Sequence, residues 1–105
     1  MPEQKQPITS KQLQIIIQEA ARTKCTELRL TDLGISELPD EIGQLVNLRV
    51  LDLGHNHLAS LPESIGQLDN LQKLDLGGNQ LASLHASIGQ LANLQLLDLT
   101  GNGEA

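Results

Sequence analysis

Three aspartates set 23 residues apart, Asp52, Asp75 and Asp98, are the carboxylates whose spacing could serve chemistry, because residues recurring at one period come to lie side by side. Like charges on neighbouring strands repel, and a basic group of a partner or a cation would relieve them. His55 and His57 lie close by, Cys25 is the only thiol, and Gly77-Gly78 is the only glycine pair. Two histidines at i and i+2 in a turn beside one carboxylate match metal-ligand spacings poorly. The glycine pair belongs to neither a GxxxxGK phosphate loop nor a glycine-rich strand-to-helix turn. No nucleophile is paired with a base, so the expectation is a non-enzyme with no cofactor and no metal.

These positions take their meaning from a repeat. Residues 51–73 read LDLGHNHLASLPESIGQLDNLQK and residues 74–96 read LDLGGNQLASLHASIGQLANLQL, with 17 of 23 positions identical. A diverged copy fills residues 28–50 and a partial one residues 97–105. Such a fixed period marks a stacked array. Within each copy the step Leu51-Asp52-Leu53 has the period of 2 of a short strand with one buried face. Equivalent strands recur in one direction, so the sheet is expected to be parallel. Cys25 shares a column with Leu48, Leu71 and Leu94 and is expected as a buried, inert thiol.

After each strand the chain must turn, and Gly54 and Gly77-Gly78 are expected to supply the backbone freedom. Asn56, Asn79 and Asn102 form one column, placed to satisfy backbone groups where the strands end, while Leu33 holds that column in the first copy. The return limb LPxxIGxLxNL carries Leu61, Ile65, Leu68 and Leu71 inward, and Pro62 and Gly66 should break regular helix into irregular or 3₁₀ turns. His85 replaces the proline of the other copies, which should loosen that turn slightly.

Ahead of the repeats, residues 1–8 are expected as a flexible leader. Thr9 and Gln12 have capping-box spacing, and Ile8 and Leu13 that of a hydrophobic staple. Leu13, Ile16, Ile17, Ala20 and Ala21 then recur at helical spacing, so residues 9–24 should form an amphipathic helix. Its apolar stripe could face a partner or the first repeat. The lid is the stronger reading, because the array needs its leading leucine layer covered.

Composition sets further bounds. The core must be Leu and Ile, since the chain contains no Phe, Tyr or Trp. Net charge is −6, split as +2 over residues 1–24 (four basic, two acidic) and −8 over residues 25–105 (three basic, eleven acidic). So acidic a surface disfavours nucleic acid. One cysteine, no apolar leader and no long apolar run lead to the expectation of a cytoplasmic protein without a membrane span.

The pattern LxxLxLxxNxLxxLPxxIGxLxNL over residues 48–71, recurring in register over residues 25–102, resembles the leucine-rich repeat family. The 23-residue LPxxIG form is similar to bacterial intracellular leucine-rich repeat proteins, to the repeats of Roco-type GTPases and to the Ras-group-related repeat proteins. The resemblance implies an α/β, right-handed β-α solenoid, with short parallel strands on a concave face, an irregular convex side, and use as a protein-interaction module. Glu27, Val50, Lys73 and Leu96, then Arg29, Asp52, Asp75 and Asp98, then Thr31, Gly54, Gly77 and Thr100 should line that face, with His55 beside it. The competing reading is that the aspartates are repeat consensus on a solvated surface. The pattern breaks at Leu33 and at Glu104, which stands where Leu58 and Leu81 point inward, so Leu91, Leu94, Leu97 and Leu99 should be poorly covered. Three functions follow as expectations: a module binding a protein or peptide through its concave face, the sensing segment of a larger signalling protein such as a Roco-type GTPase, or a homo-oligomer joined through the last repeat.

Overall fold

Each copy of the repeat contributes one three-residue strand, and the four strands lie side by side in chain order in a single parallel sheet. They are β1 (Glu27–Arg29), β2 (Val50–Asp52), β3 (Lys73–Asp75) and β4 (Leu96–Asp98). The computed structural model describes residues 6–84 and 86–102. Register follows the period without slippage: Leu28 pairs with Leu51, Leu51 with Leu74 and Leu74 with Leu97. Hydrogen bonding runs past the strand ends, since the Leu30, Leu53 and Leu76 N–H groups donate to the Asp52, Asp75 and Asp98 carbonyls at 2.8 Å. The expected parallel sheet and α/β solenoid are therefore observed.

The middle residue of each strand points into a common core. Leu48, Leu51, Leu53, Leu58, Ile65, Leu68 and Leu71 are all 0% exposed. Side chains of nearly one size in superposed layers let each repeat bury its neighbour's apolar face, which no single repeat could do alone. On the convex side the return limbs are 3₁₀ helices at Asp40–Gln44, Glu63–Gln67 and Ala86–Gln90. The return limbs are thus 3₁₀ turns, as expected, and Gly66 lies inside one of them, buried against the next repeat. His85 and Glu104 lie outside the described residues.

The turn after each strand bears out the expected backbone freedom at Gly78 and corrects it at Gly54 and Gly77. Left-handed backbone falls not at Gly54 and Gly77 but one residue later, at Asp32 (φ 58°), His55 (57°), Gly78 (70°) and Gly101 (73°). Gly54 and Gly77 make room instead, because a Cβ at either would sit 3.2 Å from the preceding aspartate's Oδ1. At Gly78 conformation and space both disfavour a side chain: a Cβ there would lie 2.6 Å from His55 Nδ1, so the imidazole would have to move. Gly78→Ala should therefore cost about 1–2 kcal/mol in urea unfolding. In a His55→Gly background the loss should shrink toward the conformational part alone.

Ahead of the sheet, helix α1 (Ser10–Thr23) starts with a complete capping box. Thr9 Oγ1 accepts from the Gln12 N–H at 3.0 Å, and Gln12 Oε1 accepts from the Thr9 N–H at 2.9 Å. It ends at Lys24 in left-handed backbone, with the Cys25 N–H donating to the Ala20 carbonyl at 3.1 Å. Leu13, Ile17 and Ala20 are buried in the same core cluster as Ile35, Leu38 and Ile42, so the apolar stripe faces the first repeat. The Ile8 N–H donates to the Leu33 carbonyl at 2.8 Å and Pro7 packs on Gly34, so attachment to the first repeat begins by residue 7; residues 1–5 of the expected leader lie outside the described residues.

Two burial expectations need correction. Cys25 is half-buried, packed against the core cluster without entering it, and this partial desolvation pushes its thiol up from the ordinary value. Leu91, expected among the poorly covered leucines, is 6% exposed, whereas Leu94 and Leu97 are half-buried and Leu99 is 38% exposed. No helix among the described residues is long and apolar enough to cross a membrane.

Candidate interaction face

The residues flanking each central leucine stand on the opposite side of the sheet from the core. Register aligns them in two rows: Glu27, Val50, Lys73 and Leu96, beside Arg29, Asp52, Asp75 and Asp98. Between the rows lies a shallow depression of about 110 Å³ that reaches from Arg29 to Asp98.

Ion pairs form at one end of this face and, among the described residues, not at the other. Arg29 lies 3.2 Å from Glu27 Oε1 and 3.8 Å from Asp52 Oδ2, one cation shared between two carboxylates. Neither Asp75 nor Asp98 has an ion pair among the described residues. Leu96, next to Asp98, is 54% exposed, the one large apolar side chain on the open part of the face.

The aspartate column also has a task of its own. Asp52 Oδ1 accepts from the Gly54 N–H at 3.0 Å, and Asp75 Oδ1 from the Gly77 N–H at 2.9 Å. Asp98 Oδ1 accepts from both the N–H (2.9 Å) and the hydroxyl (2.7 Å) of Thr100. These bonds to Thr100, its backbone N–H foremost, hold the Asp98 carboxyl below the ordinary aspartate range. Each carboxylate thus fixes the turn out of its strand with one oxygen, as an Asx turn does. This is a structural reason for the column that spacing alone does not reveal.

Other expected positions sort differently. Thr31 is exposed at the β1 end of its column. His55 is exposed at the rim, its N–H bound to the Gly77 carbonyl at 2.8 Å. His57 is carried away from that rim, with its N–H on the Ile35 carbonyl at 2.8 Å, and the described residues hold no cluster of three metal-ligating side chains. Asn56, Asn79 and Asn102 do form a ladder. Asn56 Oδ1 accepts from the Leu33 and Ile35 N–H groups, both at 3.0 Å, and its Nδ2 donates to the Leu30 and Leu53 carbonyls at 2.8 and 2.9 Å. At 4% exposure Asn56 and Asn79 are structural and present nothing to a ligand.

The LxNL element carries a second asparagine column in every copy, Asn47, Asn70 and Asn93, whose task shows only in the fold. Asn70 Nδ2 donates to the Val46 carbonyl at 3.0 Å and Asn93 Nδ2 to the Asp69 carbonyl at 2.6 Å, tying successive convex loops. Ser64 Oγ adds a bond to the Asp40 carbonyl at 2.8 Å.

Among known families, the one described as "Leucine-rich repeat region" matches residues 24–104. No curated protein matches the chain. Among solved structures, a leucine-rich repeat protein of Leptospira interrogans is 39% identical and superposes with a TM-score of 0.78 over 90% of this chain. The chain spans 28% of the length of that protein.

Proposed function

The chain belongs to the leucine-rich repeat family, and from that premise we propose that it is a non-catalytic interaction module whose concave strand face takes a protein or peptide partner. The observation that carries this reading is the far end of the face, where Asp75 and Asp98 have no ion pair among the described residues, although Lys73 lies in the neighbouring row, and Leu96 stands exposed beside them. A partner segment with a basic residue next to an apolar one would meet both needs. Four strands about 4.8 Å apart make a shelf only about 15 Å wide, which fits a short extended segment. With no aromatic residue in the chain to anchor an interface, affinity is modest. The negative surface disfavours nucleic acid, and a single thiol suits a reducing compartment such as the cytoplasm.

Because each aspartate also fixes a turn, charge should be removed without removing the oxygen. The double variant Asp75→Asn/Asp98→Asn keeps the turn acceptors and deletes both charges. Binding of a lysine- and leucine-containing peptide, followed by calorimetry at low salt, should weaken about tenfold, the size of one lost charge pair, with the unfolding midpoint little changed. Equal affinity of the variant and the natural chain would sink this assignment of the face.

A further inference from the structure

We infer that the partner of the concave face is a second copy of this chain, whose helix α1 lays Lys11 and Ile15 on Asp98 and Leu96, an identification that rests on the concave-face reading above. Among the described residues the two most exposed large apolar side chains are Ile15 at 55% and Leu96 at 54%. Each has a charge beside it, and the two charges are opposite. Lys11 stands one turn from Ile15 on the same side of α1, exposed and without an ion pair among the described residues. Asp98 stands two residues from Leu96 on the same side of β4. It spends Oδ1 on Thr100, and its Oδ2 takes part in no hydrogen bond among the described residues.

Neither patch serves the packing of its own element. Ile15 lies about 200° around the helix from Leu13, so it points away from the core that Leu13, Ile17 and Ala20 enter. Leu96 and Asp98 rise out of the sheet, at right angles to the direction in which strands succeed one another, so a strand laid beside β4 would leave them open.

Spacing matches as well as charge. Lys11 and Ile15 are about 6 Å apart along the helix axis, and Leu96 and Asp98 about 6.7 Å apart along the strand. With α1 antiparallel to β4, Ile15 covers Leu96 while the Lys11 ammonium reaches Asp98, and Asp75 lies on the adjacent strand. The contact uses about one turn of helix, no more of the shelf than a short extended segment takes. The wider field agrees, since residues 1–24 carry +2 and residues 25–105 carry −8. Within one chain the patches cannot meet, because α1 is packed on the first repeat and β4 lies three strands along the sheet, about 15 Å away. Between copies they join unlike surfaces, so association runs head to tail.

Sedimentation equilibrium at low salt tests this. The average mass of the natural chain should rise by about half or more between about 10 µM and 1 mM. Lys11→Glu/Ile15→Gln removes the helix patch, and a glutamate in the first turn favours α1, so folding is kept. Asp75→Asn/Asp98→Asn removes the charges of the face. Each variant alone should stay monomeric, and an equimolar mixture should form a dimer that grows no further, because one intact helix patch meets one intact face. A natural chain that is monomeric at the upper concentration, or a mixture no heavier than its components, would overturn the inference. So would growth of the helix-patch variant on its own, since another surface would then join the copies. That variant keeps the whole face. If it binds the lysine- and leucine-containing peptide as the natural chain does while the natural chain stays monomeric, the face stands and only its occupant is wrong.

Discussion

Replacing Asn79 with alanine should destabilise the protein by about 3–5 kcal/mol, a large part of the total stability of a domain this size. Asn79 Oδ1 accepts from the Leu58 N–H at 3.0 Å, and its Nδ2 donates to the Leu53 and Leu76 carbonyls, both at 3.0 Å. The side chain is 4% exposed, so little water can replace it. An unsatisfied buried polar group costs about 1–3 kcal/mol and each lost hydrogen bond about 0.5–1.5 kcal/mol; alanine strands the Leu58 N–H and takes one of two side-chain donors from the Leu53 and Leu76 carbonyls, which keep those of Asn56 and Asn102. Asn79→Asp should be no better at neutral pH, because it keeps the acceptor but turns a negative oxygen toward two carbonyls. Part of its stability should return in acid as the carboxyl is protonated. Asn102→Ala should cost clearly less, since Asn102 is only half-buried. Urea unfolding followed by circular dichroism measures all three, and an alanine at 79 within 1 kcal/mol of the natural chain would contradict the ladder's role.

The second large effect separates three chemically identical substitutions. Gly43→Ala and Gly66→Ala should each cost about 2–3 kcal/mol, whereas Gly89→Ala should be neutral or slightly stabilising. At Gly66 the added methyl would lie 2.5 Å from Gln90 Oε1, which can swing away, and 2.9 Å from the Ser87 carbonyl oxygen, which cannot move without shifting the next repeat. At Gly43 the corresponding backbone oxygen is 2.7 Å away. Helix propensity would favour alanine at all three sites, so a penalty confined to the inner two identifies interlayer contact as its cause. Equal effects at the three positions would show that the glycines act through local conformation.

The array, its parallel strands, the leading helix with its capping box and the identity of the core leucines were determined by sequence alone. Each rests on a period or a spacing between residues, and stacking turns a constant period into a constant register. Three-dimensional packing alone decided what several of those residues do. Asp52, Asp75 and Asp98 follow one pattern, yet only the fold shows one oxygen of each fixed to a turn and, among the described residues, only Asp52 sharing a cation. Gly54 and Gly78 look alike in the chain; φ of 70° at Gly78 and close approach to a carboxylate at Gly54 give them different work. Gly43, Gly66 and Gly89 hold one place in the motif and differ only in what the next layer puts against them. A spacing fixes which residues become neighbours along the stack, but how near two layers come, and which oxygen a hydrogen bond consumes, is settled only when all layers pack at once.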